Sequence, residues 1–551
     1  MRSSLFGHAY RRNPESKVTY QVLEPTAGFS LAQPPTDLQP GQTPYSQNFL
    51  MREGGLELRP TLNSYVSNPQ PLDFITGCET IVSSVASHFP LASGTTTFAY
   101  YSNGSWSRLS YVSSAGTIAY PPSGTTKDYY DIIQTYEPGV DDMIAVMGCE
   151  SYQTLFCWQS GATIFSSITS APRAKFVADY DNFVLAFNVR DVGSSQSKYA
   201  QRVQWSDRGA PLTWAFGGSS LAGFEDLLDA KGQGTRIMRM DDRVILFFED
   251  EIWQGVRAVG NSSFAFSPYD RTIGTPYSWT VALTPLGLMF LGRDLMVYLL
   301  PKGGGPATPI GYPVRRQLQN RLDTPQKAWA VYDPDTRHYR LYYPIIGGTG
   351  LPQEVLCINL GENSWSPWSY IHATGSFNLT RGFVSYNDQT TSSLSWGGAT
   401  FPWNSTLSTW ADFAVVSGQF SRRVAAGTSD GTMYVESDGT QDGPIPITAT
   451  WRSQGLGGDS PRNMKVLQEV RCDYSNAGIV NSNLTIAASR DVGSTFDPAV
   501  SVTLPPSVYE RNVVGHVYAV GQYPVFQVQM SDNAVRLLRF QTQYTVGGSS
   551  A

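Results

Sequence analysis

The chain has 551 residues, of which 41% are apolar and only 15% charged, with a net charge of −6 at neutral pH. Charge falls well short of the usual quarter of residues, and no basic stripe of the kind that grips nucleic acid is present. The balance argues against tight or sequence-specific DNA binding, but not against loose passage of duplex DNA along a weakly acidic wall, where repulsion from phosphate opposes sticking.

Glycine (51), proline (35) and tyrosine (30) fill the place of the missing charge, the composition of short strands joined by many turns. Residues 1–72 read as an extended N-terminal arm, with five prolines between positions 25 and 44. Within it, NFLMREGGLELRP (48–60) predicts a hairpin about its Gly-Gly turn. From 73 to 170 the strands are short and rich in Ser and Thr. The Asn103-Gly104 pair signals one hairpin and DDMIAVMGCESYQTLFCW (141–158) a second.

From 171 onward a unit returns: an apolar strand, an Asp/Asn/Gly turn, a second strand and an aromatic. Its copies are FVADYDNFVLAFN (176–188), MRMDDRVILFFEDEIW (238–253), VALTPLGLMFLGRDLMVY (281–298), WAVYDPDTRHYRLYYP (329–344) and RVAAGTSDGTMYV (423–435). A period of roughly 40 to 50 residues built only from strands predicts a β-propeller. We assign it to residues 73–440 with about six blades, seven being the alternative. Only RRQLQNRLDTPQKAW (315–329) and SLAGFEDLLDA (220–230) look helical, and LPKGGGPATPIGYP (300–313) reads as an exposed loop rather than a phosphate cradle. Residues 441–551 carry five or more alternating strands and predict a C-terminal β-sandwich-like module. The fold class is thus all-β.

Chemistry-bearing motifs are sparse. The five cysteines read as small buried hydrophobes of a reducing compartment, without a CxxC pair. None of the five histidines sits in a nucleophile or metal motif, and His338 reads as a sheet or surface residue. The neighbouring acids Asp141-Asp142, Asp241-Asp242 and Glu249-Asp250-Glu251 read as hairpin-tip turn residues rather than a glycosidase pair. SRDVGSTF (489–496) matches the Asp-box, SxDxGxxF/W, a folding element: Ser489 and Asp491 cap the turn, Gly493 takes the positive-φ position and Phe496 packs beneath. In RVQWSDRGAPLTWAF (202–216), Trp205 and Trp214 are expected to pack about the turn at Asp207, Gly209 and Pro211. No catalytic, cofactor-binding or metal-binding residue is assigned, and the chain is expected to be no enzyme and to lack hydrolase activity. No signal-peptide core and no run approaching the roughly 18 apolar residues of a membrane span is seen, so manufacture in the cytoplasm without stable membrane insertion is expected.

Three pieces carry a resemblance. NFLMREGGLELRP resembles the N-x-x-x-x-x-G-G-x-x-x-R-P segment of the tail nozzle proteins of short-tailed bacteriophages, also called packaged-DNA stabilisation or tail tubular proteins. RVQWSDRGAPLTWAF resembles their W-S-D-x-G-x-P-x-x-W segment, followed by a similar strand pair, and the SRDVGSTF module with VFQVQMSDNAVRLLRF resembles their C-terminal region. The resemblance spans most of the chain except 73–170 and 370–410. It implies a structural virion protein of the tail. In that setting a hexameric ring below portal and adaptor extends the DNA channel, touches passing double-stranded DNA non-specifically, retains the genome until ejection, and adjoins tail fibres or tailspikes. The lumen of such a ring is expected to lack lysine and arginine clusters. The alternative from another class is a glycan-binding or glycan-cleaving propeller of tailspike or sialidase type.

Overall fold

The computed structural model describes residues 17–549 apart from residue 53 and the stretches 66–71, 83–87, 95–97, 103–104, 113–128, 138–141, 152–153, 191–196, 259–262, 374, 388–420 and 458–462. The Asn103-Gly104 turn therefore lies outside the described residues. By compactness the chain divides into two units, one of Met1–Pro60, Ile358–Ser369 and Asp438–Ala551, the other of Thr61–Cys357 and Tyr370–Ser437.

The second unit is a β-propeller. Its blades begin, from the axis outward, with Gly77–Val82, Tyr130–Glu137, Arg173–Tyr180, Gly234–Met240, Ala282–Thr284, Trp329–Asp333 and Leu379–Asn387, each the first strand of its own sheet. The described residues thus hold seven blades, not six. The Ser/Thr-rich stretch before 170 supplies two of them, because its hairpins pair despite a weak apolar alternation: Cys78 opposes Ala92, and Ile132 opposes Met147. Innermost strands of successive blades lie side by side, and Leu379–Asn387 meets Gly77–Val82 to close the ring.

Turn chemistry sets the hairpins. In blade 3, Tyr180 pairs with Phe183 across Asp181 and Asn182, whose φ values of +50° and +63° are what a two-residue turn matching strand twist demands. The strand after it, Phe183–Arg190, is buried along nearly its whole length between neighbouring blades, which is why it reads as a continuous apolar run. The outer strand of blade 7 comes from the other end of the propeller's sequence: Thr61–Ser64 pairs with Met433–Ser437.

The short helix appears at Arg315–Arg321. The stretch 220–230 does not form one. Gly223–Asp226 is the outer strand of blade 3, held by Trp205 opposite Gly223 and by an Arg202–Asp226 ion pair at 2.7 Å. Leu228 stays 79% exposed, so no apolar helical face is buried there.

The first unit is a β-sandwich. One sheet runs Phe49–Arg52, Gly55–Leu58, Val535–Ser549, Asn463–Asn476, Ser507–Gly521, with Lys17–Leu23 also on Val535–Ser549. The other runs Ser46–Gln47, Ala449–Arg452, Val525–Met530, Ser482–Ser489, Val500–Leu504. Their inner faces share a core in which Trp451 stacks on Phe540 at 5.0 Å. The predicted hairpin at 48–60 is present, Phe49 opposing Leu58. Lys17–Leu23, Ser46–Gln47, Phe49–Arg52 and Gly55–Leu58 are strands of this sandwich, so only the Pro-rich stretch 24–45 between them keeps the irregular course expected of an arm; the alternating Val18, Tyr20 and Val22 pair along Thr545 to Gln541.

Candidate functional site

The motif residues take up framework positions. Trp205 donates its Nε1–H to the Leu221 carbonyl and packs edge-on against Phe264. Trp214, 2% exposed, donates to the carbonyl of Pro211. Asp207 accepts the backbone N–H groups of Arg208 and Leu221, and Gly209 turns at φ +69°. Truncating Trp214 to alanine is expected to cost about 3 to 5 kcal/mol; an unchanged denaturant midpoint would contradict this. In the Asp-box, Asp491 accepts from the N–H and hydroxyl of Thr495 and from Ser489, which hold its carboxyl well below the usual range, while Gly493 sits at φ +87° against Phe496. None of these nine residues lines the cavity at the propeller axis.

The site lies elsewhere, at the propeller axis. A cavity of 260 Å³ is walled by inner strands of the blades. The same position early in several of those strands carries a charge: Glu79, Asp131, Lys175, Arg236 and Arg381. Backbone geometry brings together residues some 300 positions apart, so no local motif marks them. The signal that does exist in sequence is a lone charge two or three residues into the first strand of each repeat, as in GCETI, YDII, GTRIM and LTRGF.

Asp131 is buried, accepts the Val177 N–H at 3.0 Å and faces Arg236 at 2.6 Å. Burial raises its pKa and the Arg236 charge opposes that shift. Glu79, on the neighbouring inner strand, is pushed up to about 7, first by burial, then by the Asp131 charge, against the Thr80 N–H and Arg236. Arg381 is 5% exposed. Its guanidinium stands 3.7 Å from the Trp279 ring and 4.1 Å from that of Tyr129, and burial lowers its pKa to about 10. The Trp279 indole is fixed by donating to Glu150 at 2.9 Å. Beside Arg381, a Cβ at position 382 would lie 2.4 Å from the Trp329 ring, so glycine lets that wall close. The acids expected at hairpin tips behave differently: Asp241 is in its turn at φ +54°, but Glu251 is fully buried, accepting from Lys231 N–H and Trp253 Nε1–H. His338 is a buried strand residue bonded through Nδ1 to the Thr336 carbonyl.

The Glu79 shift sets a pH dependence. A carboxyl raised from 4.5 to about 7 in the folded chain adds stability that is fully present below the unfolded value and is lost as pH rises through 7. Glu79→Gln is therefore expected to flatten the stability profile between pH 5 and 8 and to gain about 3 kcal/mol at pH 8. Parallel urea curves for both proteins at the two pH values would refute it.

No family model and no curated protein matches the chain. Solved structures that align with it include an exo-β-1,3-galactanase from Phanerochaete chrysosporium, 11% identical over 87% of this chain and 100% of that one with a TM-score of 0.24. Another is a fungal alcohol oxidase of the AA5 family in complex with copper, 8% identical over 87% and 98% with a TM-score of 0.37. These figures carry no residue-level correspondence. The sequence reading of a chain that is no enzyme is nevertheless corrected. Its ground is the lack of any ordered pair of acids, and the propeller axis holds two neighbouring carboxyls, Glu79 and Asp131, which no local motif marks.

Proposed function

We propose that this chain is a tail nozzle protein of a short-tailed bacteriophage, assembled as a ring, most simply of six copies, beneath portal and adaptor and around the DNA path. The observation that supports it is the role of the resembling segments. Arg59 of the G-G-x-x-x-R-P piece is a buried tie within the sandwich unit, and the W-S-D-x-G-x-P-x-x-W piece builds the rim of blade 3. Beyond that rim, Phe216 and Phe224 touch each other while remaining 54% and 46% exposed, with Leu221 and Leu228 also exposed. Such a patch suits burial against another copy. The axial cavity, at 260 Å³, is far too small for a duplex, so DNA would pass along the outside of each propeller, between copies. Cryo-electron microscopy of virions tests the reading. Density for this chain in a ring below the portal supports it; a receptor-binding spike, or absence from particles, overturns it.

A second reading is favoured by Glu79 and Asp131. Two neighbouring carboxyls in a cavity walled by Trp279, Tyr332 and Trp329 are the groups a saccharide-binding or saccharide-cleaving propeller uses, with a carboxyl near pKa 7 suited to act as the acid. Incubation with host surface polysaccharide tests it. Release of reducing ends that falls by at least a hundredfold in Glu79→Gln supports it, and no release by the unaltered chain removes the cleaving arm.

A further inference from the structure

We infer that the axial cavity is a binding site for a small hydroxylated molecule carrying a single carboxylate, of the size of an acidic monosaccharide, with Arg381 as the group that receives the carboxylate and Arg236 beside it. The inference shares its cavity with the saccharide reading but needs only binding, not bond cleavage.

Arg381 carries it. The residue lines the cavity, is 95% buried, and none of its three guanidinium nitrogens has a hydrogen-bond partner. A buried guanidinium without acceptors is costly, and proteins normally satisfy every such donor. The rings of Trp279 and Tyr129, 3.7 and 4.1 Å from the guanidinium carbon, offer it π faces but no lone-pair acceptor, which leaves its N–H groups to be satisfied by a ligand. A planar carboxylate fits that fork with two parallel bonds.

The surroundings select one negative charge and some hydroxyls. Asp131 already faces Arg236 at 2.6 Å, so the two offset each other, while Arg381 feels the Glu150 charge through space but no carboxylate bonds it. A dianion such as phosphate would place a second charge against Asp131 and Glu79. Glu79, whose carboxyl burial pushes up to about 7, lines the same cavity and in its protonated form offers an O–H donor and a carbonyl acceptor to ligand hydroxyls. The Trp279 face adjoining both guanidiniums gives an apolar wall for C–H groups. A volume of 260 Å³ admits a single sugar-sized ring and not a chain of them.

Isothermal titration calorimetry of the full chain with D-glucuronate, glucose, the methyl ester of glucuronate and inorganic phosphate tests the inference. Glucuronate is expected to bind, with glucose and the ester at least tenfold weaker. Arg381→Met should weaken glucuronate at least tenfold without lowering the unfolding midpoint, since it removes a buried charge that has no hydrogen-bond partner. Absence of glucuronate binding, equal affinity for the ester, phosphate binding tighter than glucuronate, or unchanged binding in a folded Arg381→Met chain would each overturn it. Should that variant not fold, the acid-against-ester comparison on the unaltered chain decides alone. Cleavage is read separately through Glu79→Gln, so failure of turnover leaves this result standing, and failure of glucuronate binding leaves turnover on neutral glycans to be judged by itself.

Discussion

Arg340→Met is expected to lower the unfolding free energy of the propeller unit by about 3 to 5 kcal/mol. Arg340 is fully buried, on the second strand of blade 6, and its guanidinium bonds Asp333 and Thr336 of its own hairpin and Glu436 on blade 7. Those acids raise its pKa well above the ordinary arginine value, against the pull of burial. Methionine fills much of the volume but strands two carboxylates, 6% and 3% exposed, in a low-dielectric wall. Leaving a buried charge unpaired is the costly event, more than losing the attraction itself. The triple change Arg340→Met, Asp333→Asn, Glu436→Gln should therefore recover most of the loss. Guanidinium unfolding followed by tryptophan fluorescence checks both. If the triple variant is as weak as the single one, packing and not charge explains the defect.

Arg59→Met should cost the sandwich unit a similar amount, about 3 to 5 kcal/mol. Both partners of the Arg59–Asp442 pair are fully buried. The guanidinium donates to Asp442 at 3.1 and 2.5 Å, to Asn48 Oδ1 at 3.1 Å, and to the carbonyls of Pro60 and Ser369 at 2.9 and 3.0 Å. One planar head thus joins three separated pieces of sequence: the 48–60 hairpin, the strand ending at Ser369 and the turn at Asp442. Arg59→Lys should fail nearly as badly, because a point charge with three donors cannot reproduce the fork. Full stability of the lysine variant, measured by calorimetry, would show that the charge alone suffices.

Much of the fold is legible in the chain because its turns are local. Tyr180-Asp-Asn-Phe183 dictates its hairpin, SRDVGSTF its capped turn, and the 49–58 hairpin follows from two glycines between apolar runs. Blade number is less legible. The first blade is made of mixed strands whose burial depends on neighbours, so its period is felt only when the ring is closed. The strand at Gly223–Asp226 was hidden for a related reason: the Leu, Ala and Glu residues of SLAGFEDLLDA favour a helix locally, and only cross-strand pairing to Trp205 overrides them. The site was the least legible part. Glu79, Asp131, Arg236 and Arg381 each stand alone in an ordinary strand, and only the rotational equivalence of blades brings them to one axis.

The pairing of Thr61–Ser64 with Met433–Ser437 also fixes an order of events in synthesis. Thr61 emerges from the ribosome 376 residues before the Ser437 carbonyl that receives its hydroxyl. At translation rates of about 5 to 20 residues per second, that strand waits roughly 20 to 75 s with its ladder groups unpaired. For that interval each nascent chain carries a free strand able to pair with the exposed Met433–Ser437 edge of a more complete neighbour on the same message. Ribosome spacing, or a chaperone that holds the first 64 residues, then governs how much of the product closes on itself and how much is lost to exchange between chains.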